Sequence, residues 1–239
     1  MNATADSFVV PSEPRGRWCP VCGNSSRRFR RHGQVKVRLD AKCAYCGAVE
    51  RHRLIWLFFH RRTDLFDGRS KKFLDVGPER CLMTRFAAAF GDGYVSAAPR
   101  DPRALVQTDL AEIPCPENAF DAIYCSDVLE HVPDDRRAMK ELHRVLKPAG
   151  WLVLTTTFIP GPTREDPSVT DPYERLMMFG QKERVRRYGA DVADRLREAG
   201  FAAELCTVHD LCTPEEARLL GLRLSGRAIF YCKKAAPAG

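Results

Sequence analysis

The sequence has no apolar run approaching the roughly 18 consecutive residues of a membrane span. Its longest greasy stretch, Leu54 to Phe59, gives way at once to His60, Arg61 and Arg62. The opening residues MNATADSFVVPSEPRGR are polar and lack the basic-then-apolar design of a secretory leader. Secretion and membrane partners are therefore not expected, and the expected site of action is the cytoplasm. Internal repeats and low-complexity tracts are missing too, which excludes a repeat architecture. Glycine is scarce where a nucleotide-binding turn usually carries several: FLDVGPERC, Phe73 to Cys81, has Gly77 alone, followed by Pro78. By itself that strand-to-helix corner is weak evidence for a cofactor.

What is present bounds the fold. A chain of 239 residues with 44% hydrophobic content can hold one sizeable α/β domain and a small extra module. Charge is unevenly placed: residues 1 to 62 hold 13 Lys or Arg against 4 Asp or Glu, a balance of +9, and the rest of the chain balances at −2. The basic run SSRRFRRHGQVKVR attracts phosphates, of nucleic acid or of a phosphorylated small molecule, or is a solvated basic face. Only Phe29 interrupts the run, fewer aromatics than a stacking platform normally offers.

Cysteine use divides the same way. Cys19 and Cys22 in CPVC, and Cys43 and Cys46 in CAYC, form two CxxC pairs separated by 20 residues, each followed by glycine. Four thiolates around Zn²⁺ complete a closed tetrahedral site with no open position for catalysis. Redox or disulfide pairs are the alternative, of little use in a cytoplasmic chain. A module of fewer than about 50 residues cannot bury an adequate core alone, so the metal should supply much of its folding energy. Cysteines 81, 115, 125, 206, 212 and 232 read mostly as buried small side chains.

The expected organisation is a basic four-cysteine zinc ribbon over 1–48, a connecting helix over 49–66 and a main domain over 67–239. In the connecting segment Leu54, Leu57, Phe58, Arg61 and Leu65 fall at helical spacing, giving one greasy face. From Lys71 onward strands alternate with helices: KKFLDVG, GYVSAA, ALVQTDL, AFDAIYCSDV and WLVLTTTF read as strands, then AAELCTV and RAIFYCKK. Helices are read over ERCLMTRFAAAF, over DDRRAMKELHRVLK with Asp134 or Asp135 as cap, and near ADVADRLREAG. WLVLTTTF is the near-continuous apolar run of a central parallel strand. The pattern predicts an α/β doubly wound sheet with ligand at the carboxyl ends of its strands.

Taken in succession, FLDVGPE, TDLAEIPCPENAFDAIYCSDVLEHVPDD and ELHRVLKPAGWLVLTTTF resemble the motifs of the class I S-adenosylmethionine-dependent methyltransferases, over about residues 71 to 158. The ribbon ahead of ERHRLIWLFF, with the later TREDPSVTDPYERLMMFGQKERVRRYG, resembles a bacterial zinc-ribbon subgroup of them. The resemblance implies a Rossmann-like, mostly parallel sheet whose last strand is antiparallel, with S-adenosyl-L-methionine as cofactor and a structural zinc. It implies that Asp75, Gly77 and Glu79 face the methionine half, with Asp75 or Glu79 receiving the α-ammonium. Asp109 would accept the adenine amino group, and the Leu110 amide would meet a ring nitrogen. Ser126 and Asp127 would stand beside the reacting methyl. His131, after Glu130, is either a general base or a packed, hydrogen-bonded histidine, and the packing role is favoured.

Two departures from the family pattern stand out. The second strand ends in Ala98 where an acid would take the ribose hydroxyls, so either Asp101 reaches back, or ribose recognition is weakened, or ordinary cofactor use has been lost. FGQKERVRRYG carries Glu183 and Arg184 where the subgroup favours an Asp-His pair. The insert from Ile159 to Tyr188 is too long for a plain connection and reads as a substrate lid. Within it Glu165 and Asp166 are candidate acid/base or substrate-amine contacts, and Arg184, Arg186 and Arg187 could take an anionic group; exposed lid charges are the alternative. The leading expectation is methyl transfer to O or N of a small molecule or sugar-containing metabolite. The alternatives are an RNA methyltransferase docked through the basic ribbon, and a binding protein that keeps the fold without turnover.

Overall fold

The computed structural model describes residues 10–11, 16–33, 37–99, 101–223 and 228–234. Part of the basic run (34–36), most of the N-terminal stretch and Arg227 of the last expected strand lie outside the described residues. The chain divides into two compact units, one over Lys71–Pro78, Asp92–Cys206 and Arg227–Gly239, the other over Met1–Ser70, Glu79–Gly91 and Thr207–Gly226.

The first of these holds a seven-stranded sheet. Its strands are β1 (Phe73–Val76), β2 (Tyr94–Ala98), β3 (Val106–Gln107), β4 (Phe120–Ser126), β5 (Leu146–Thr156), β6 (Phe201–Cys206) and β7 (Ala228–Lys234), in the spatial order β6-β7-β5-β4-β1-β2-β3. All neighbours run parallel except β7, which is antiparallel to both β5 and β6. The expected sheet and its reversed last strand are both present. Every residue of β1 is buried, as are the last seven of β5, which explains why WLVLTTTF reads as a near-continuous apolar run. The helix Asp135–Val145 buries Ala138, Met139, Leu142 and Val145 at i, i+1, i+4 and i+7, one stripe of a 3.6-residue period. Asp134 caps it, accepting from the Arg137 amide at 2.9 Å. The core gathers Leu74, Ile123, Leu142, Leu154, Leu196 and Phe201. Chain order reverses at β1, which lies between β2 and β4, so the crevice opens at the carboxyl ends of these strands.

The second unit contains two hairpins, Arg17–Trp18 with Ser25–Ser26 and Arg30–His32 with Arg38–Lys42, and the helices Glu50–Arg62, Arg80–Phe90 and Pro214–Leu219. The helix Glu50–Arg62 was expected to bury one face; it is buried at every residue from His52 to Phe59. Trp56 and Phe59 each pack on Phe86 of Arg80–Phe90 with ring centroids 5.9 Å apart. On another side, Arg53 lies over the Phe29 ring at 4.0 Å and donates to the carbonyls of Ala41, Ala48, Leu220 and Gly221. Residues 79–91 and 207–226 thus group with the ribbon rather than with the sheet, a division the local sequence pattern does not show. No described helix is long and apolar enough to cross a membrane.

Candidate active site and metal centre

The four ribbon cysteines converge. Cys19 follows the strand Arg17–Trp18 and Cys43 follows Arg38–Lys42, and the two CxxC turns face each other. The Cys19 and Cys46 sulfurs are 3.6 Å apart, those of Cys22 and Cys43 are 3.8 Å apart, and all four lie within 4.8 Å of one another. Sulfurs bound at about 2.3 Å around a tetrahedral Zn²⁺ would stand about 3.8 Å apart. The donor set therefore fits a closed structural zinc. Burial works to lower the pKa of the nearby Arg53, while the thiolates of Cys19, Cys43 and Cys46 favour its charge. That guanidinium offsets the negative centre.

At the carboxyl edge of the sheet, the decisive residue is Gly77. Its φ is +74°, and its amide donates to the Ala97 carbonyl at 3.0 Å. A Cβ here would meet the Ser126 carbonyl at 2.9 Å and the Val128 side chain more closely still. Only glycine lets the turn after β1 lie against the end of β4. Ser126 is buried, 3.4 Å from the Thr155 hydroxyl. Asp127 next to it is held at φ +50°, a left-handed conformation that Asp tolerates better than most residues, with its amide on the Thr155 carbonyl at 2.9 Å. Register puts Val76 beside both Ala97 and Cys125, and Ala98 beside Gln107, so the ends of β1, β2, β3 and β4 align.

The remaining expected cofactor residues divide by what they touch. Asp75 is buried and accepts from the Tyr94 hydroxyl at 2.7 Å; burial and that carboxylate push the phenol well above its usual range. Asp109 is exposed, one oxygen capping its own turn on the Ala111 amide at 2.9 Å, with the Leu110 side chain fully buried behind it. Ala98 is buried. Asp101 is occupied by Arg103, whose side chain donates at 2.8 and 3.1 Å and whose amide donates at 3.0 Å. Glu79 lies in the ribbon unit, its carboxylate accepting from Arg51 Nε at 2.8 Å with His52 Nε2 2.7 Å away. Burial works to raise the Glu79 carboxyl, but the His52 and Arg51 contacts outweigh it and bring it to about 2.

In the insert, charges that look free in the sequence are engaged. Glu165 receives Arg195 Nη2 at 2.7 Å and Arg186 Nε at 2.8 Å, and the Arg195 contact leads in holding its carboxyl at about 2. These two ion pairs give the Glu165 carboxyl an anchoring role. Asp166 is tied to the Ser168 hydroxyl at 2.6 Å and amide at 2.9 Å, a turn contact at the surface. Arg186 is buried and donates to the carbonyls of Leu129, Val132 and Pro133; Arg184 meets the buried Glu130 at 3.2 Å. These two arginines hold the turn after β4. Burial lowers the His131 pKa, against the pull of a ring hydrogen bond to the Glu183 carbonyl, in keeping with the packed reading. Sequence reasoning missed Asp135, Tyr188 and Arg195, which complete the network: the Tyr188 hydroxyl reaches Asp135 at 2.6 Å and Arg195 Nη1 reaches it at 3.0 Å. Partners 53 and 60 residues apart leave no local signal.

Residues 74–154 match the family model described as a methyltransferase domain. This span runs from β1 into the second half of β5 and includes the Gly77 turn and the Ser126 edge. Over these residues the chain carries a methyltransferase domain, set on the mostly parallel sheet described above. Among curated relatives, a ubiquinone biosynthesis O-methyltransferase of Chromobacterium violaceum is 40% identical over 62 residues, 26% of this chain and 25% of that one. A probable S-adenosylmethionine-dependent methyltransferase of Mycolicibacterium smegmatis is 25% identical over 208 residues, 85% of this chain and 69% of that one. The chain thus spans a quarter of the length of the first relative and about two thirds of the second. Among solved structures, the 1,6-didemethyltoxoflavin-N1-methyltransferase of Burkholderia thailandensis, with its substrate and S-adenosylhomocysteine bound, superposes with a TM-score of 0.50 at 18% identity, covering 77% of this chain and 76% of that one. That likeness concerns the fold. In this methyltransferase domain, the cradle at Gly77 that any Cβ would fill and the exposed Asp109 carboxylate fit S-adenosylmethionine; the ribose acid is absent at Ala98.

Proposed function

We propose that the protein transfers the methyl group of S-adenosylmethionine to O or N of a small molecule or sugar-containing metabolite in the cytoplasm. The observation that carries this reading is the Gly77 turn, closed against Ser126 at the carboxyl edge of β1 and β4. Gly77 backbone would face the methionine half, Asp75 would hold the turn through Tyr94, and Asp109 with the Leu110 amide would take the adenine. The cofactor supplies a sulfonium-bound methyl for in-line displacement. The chain's own task is to place the acceptor on that axis, and alignment alone lowers such a barrier substantially. With Glu165 committed to two guanidinium groups, the reading favours an acceptor that is nucleophilic without a strong base, such as an amine or an acidic hydroxyl.

One observation favours a second reading, RNA as acceptor. Arg27, Arg28, Arg30 and Arg31 are exposed, and Arg30 stands directly opposite the exposed Lys42 in the hairpin, a like-charge pair that costs stability unless an anion covers it.

Calorimetry with S-adenosylmethionine tests the proposal: binding below millimolar, weakened at least tenfold by Asp109→Ala, is expected, and no binding would sink it in favour of a silent binding protein. Labelled cofactor with fractionated host extract then separates the acceptors. Label in small molecules supports the first reading, and ribonuclease-sensitive label supports the second.

A further inference from the structure

A path of hydrogen bonds, one peptide bond and a close His52–Glu79 contact runs from the metal centre to Glu79 inside the ribbon unit. The Cys43 amide donates to the Ala48 carbonyl at 2.8 Å, closing the second CxxC turn, and Arg53 Nη1 donates to the same carbonyl at 2.8 Å. The next residue, Val49, caps the helix Glu50–Arg62, and its amide donates to His52 Nδ1 at 3.0 Å. That contact makes Nδ1 an acceptor, so the neutral ring carries its proton on Nε2. Nε2 faces Glu79 Oε1 at 2.7 Å, and Arg51 Nε reaches the same oxygen at 2.8 Å. Glu79 is the N-cap of Arg80–Phe90, its carbonyl accepting from the Leu82 and Met83 amides at 2.8 and 3.0 Å. It also stands two residues after Gly77 in the chain.

The end of this path near the ribbon depends on the metal, because a small module with two tight cysteine turns has little else to fix it. The other end is the residue that starts the helix after the cofactor glycine. We infer that metal in the four-cysteine site and S-adenosylmethionine binding are coupled, with His52 as the positioning residue that carries the metal's effect to Glu79. The inference rests on the proposed cofactor use. By linkage the effect is reciprocal: if zinc tightens the cofactor by some factor, the cofactor tightens zinc by the same factor.

Hydrogen exchange read by mass spectrometry over residues 79–91, together with calorimetry of S-adenosylmethionine, tests this on the full chain. Zinc-loaded and chelator-treated protein are compared with zinc-loaded His52→Ala. Zinc removal is expected to raise exchange over 79–91 and to weaken the cofactor about tenfold, within the usual range of such couplings. His52→Ala should reproduce both effects with one zinc per chain retained. His52→Gln, whose amide can still donate to Glu79, should recover part of the loss; should His52→Ala fail to fold, Glu79→Gln takes its place. Exchange and affinity unchanged within twofold in both the stripped protein and the variant would overturn the inference while leaving the proposed function intact. Absence of cofactor binding by zinc-loaded wild-type protein would sink the proposed function and this inference with it.

Discussion

Replacing Glu165 by glutamine separates an anchor from a proton carrier. The carboxyl lies at about 2 against an ordinary 4.5 because Arg195 and Arg186 stabilise its charge. The difference of 2.5 units corresponds to about 3.4 kcal/mol at 1.36 kcal/mol per unit. Its side chain is 36% exposed, so solvent screening reduces that to about 1–2 kcal/mol. For a chain of this size the loss lowers Tm by about 2–8 °C. A carboxyl whose pKa is depressed by folding stabilises fully above its unfolded value and loses that contribution as pH falls through the folded one. The Tm gap between wild type and Glu165→Gln should therefore be constant from neutral pH down to about 5.5 and close between about 4.5 and 2. Thermal unfolding across that range, beside turnover at a temperature where both proteins are folded, reads the two roles. Anchoring predicts the Tm loss with turnover kept within a few-fold. Loss of a general acid or base would instead cost about 100-fold or more. Unchanged Tm with turnover reduced that far would refute the anchoring argument and restore Glu165 as catalytic.

Gly77→Ala should destabilise the fold by about 2–3 kcal/mol, since the new Cβ meets the Ser126 carbonyl and the backbone is left-handed; an unchanged urea midpoint and cofactor affinity would contradict this. Arg53→Met leaves buried carbonyls of Ala41, Ala48, Leu220 and Gly221 without their donor, and should cost at least about 3 kcal/mol and speed zinc loss to a chelator; wild-type zinc release would show that the guanidinium does not support the centre.

The sheet was legible because its information is local. Strands β1, β4 and β5 announce themselves by apolar content, the helix Asp135–Val145 by its cap and period, and the CxxC turns by a spacing that brings two sulfurs together within four residues. Charges carry no such signature. Glu79 was assigned to the cofactor and Glu165 to acid/base work from their positions in motifs, yet one is met by Arg51 from 28 residues away and the other by Arg195 from 30. Arg184 and Arg186 looked like lid charges for the same reason, and each turns out to serve the turn after β4. This leaves the insert with a different character from the one its sequence suggested. Among the exposed parts of the insert is the helix Pro172–Phe179, where Tyr173, Leu176 and Met177 sit at i, i+3 and i+4 and are 66%, 37% and 70% exposed. If the insert meets the acceptor, this apolar stripe at helical spacing would offer it adaptable greasy surface rather than a counter-charge. A methyl acceptor recognised through this segment would accordingly be held by its apolar part.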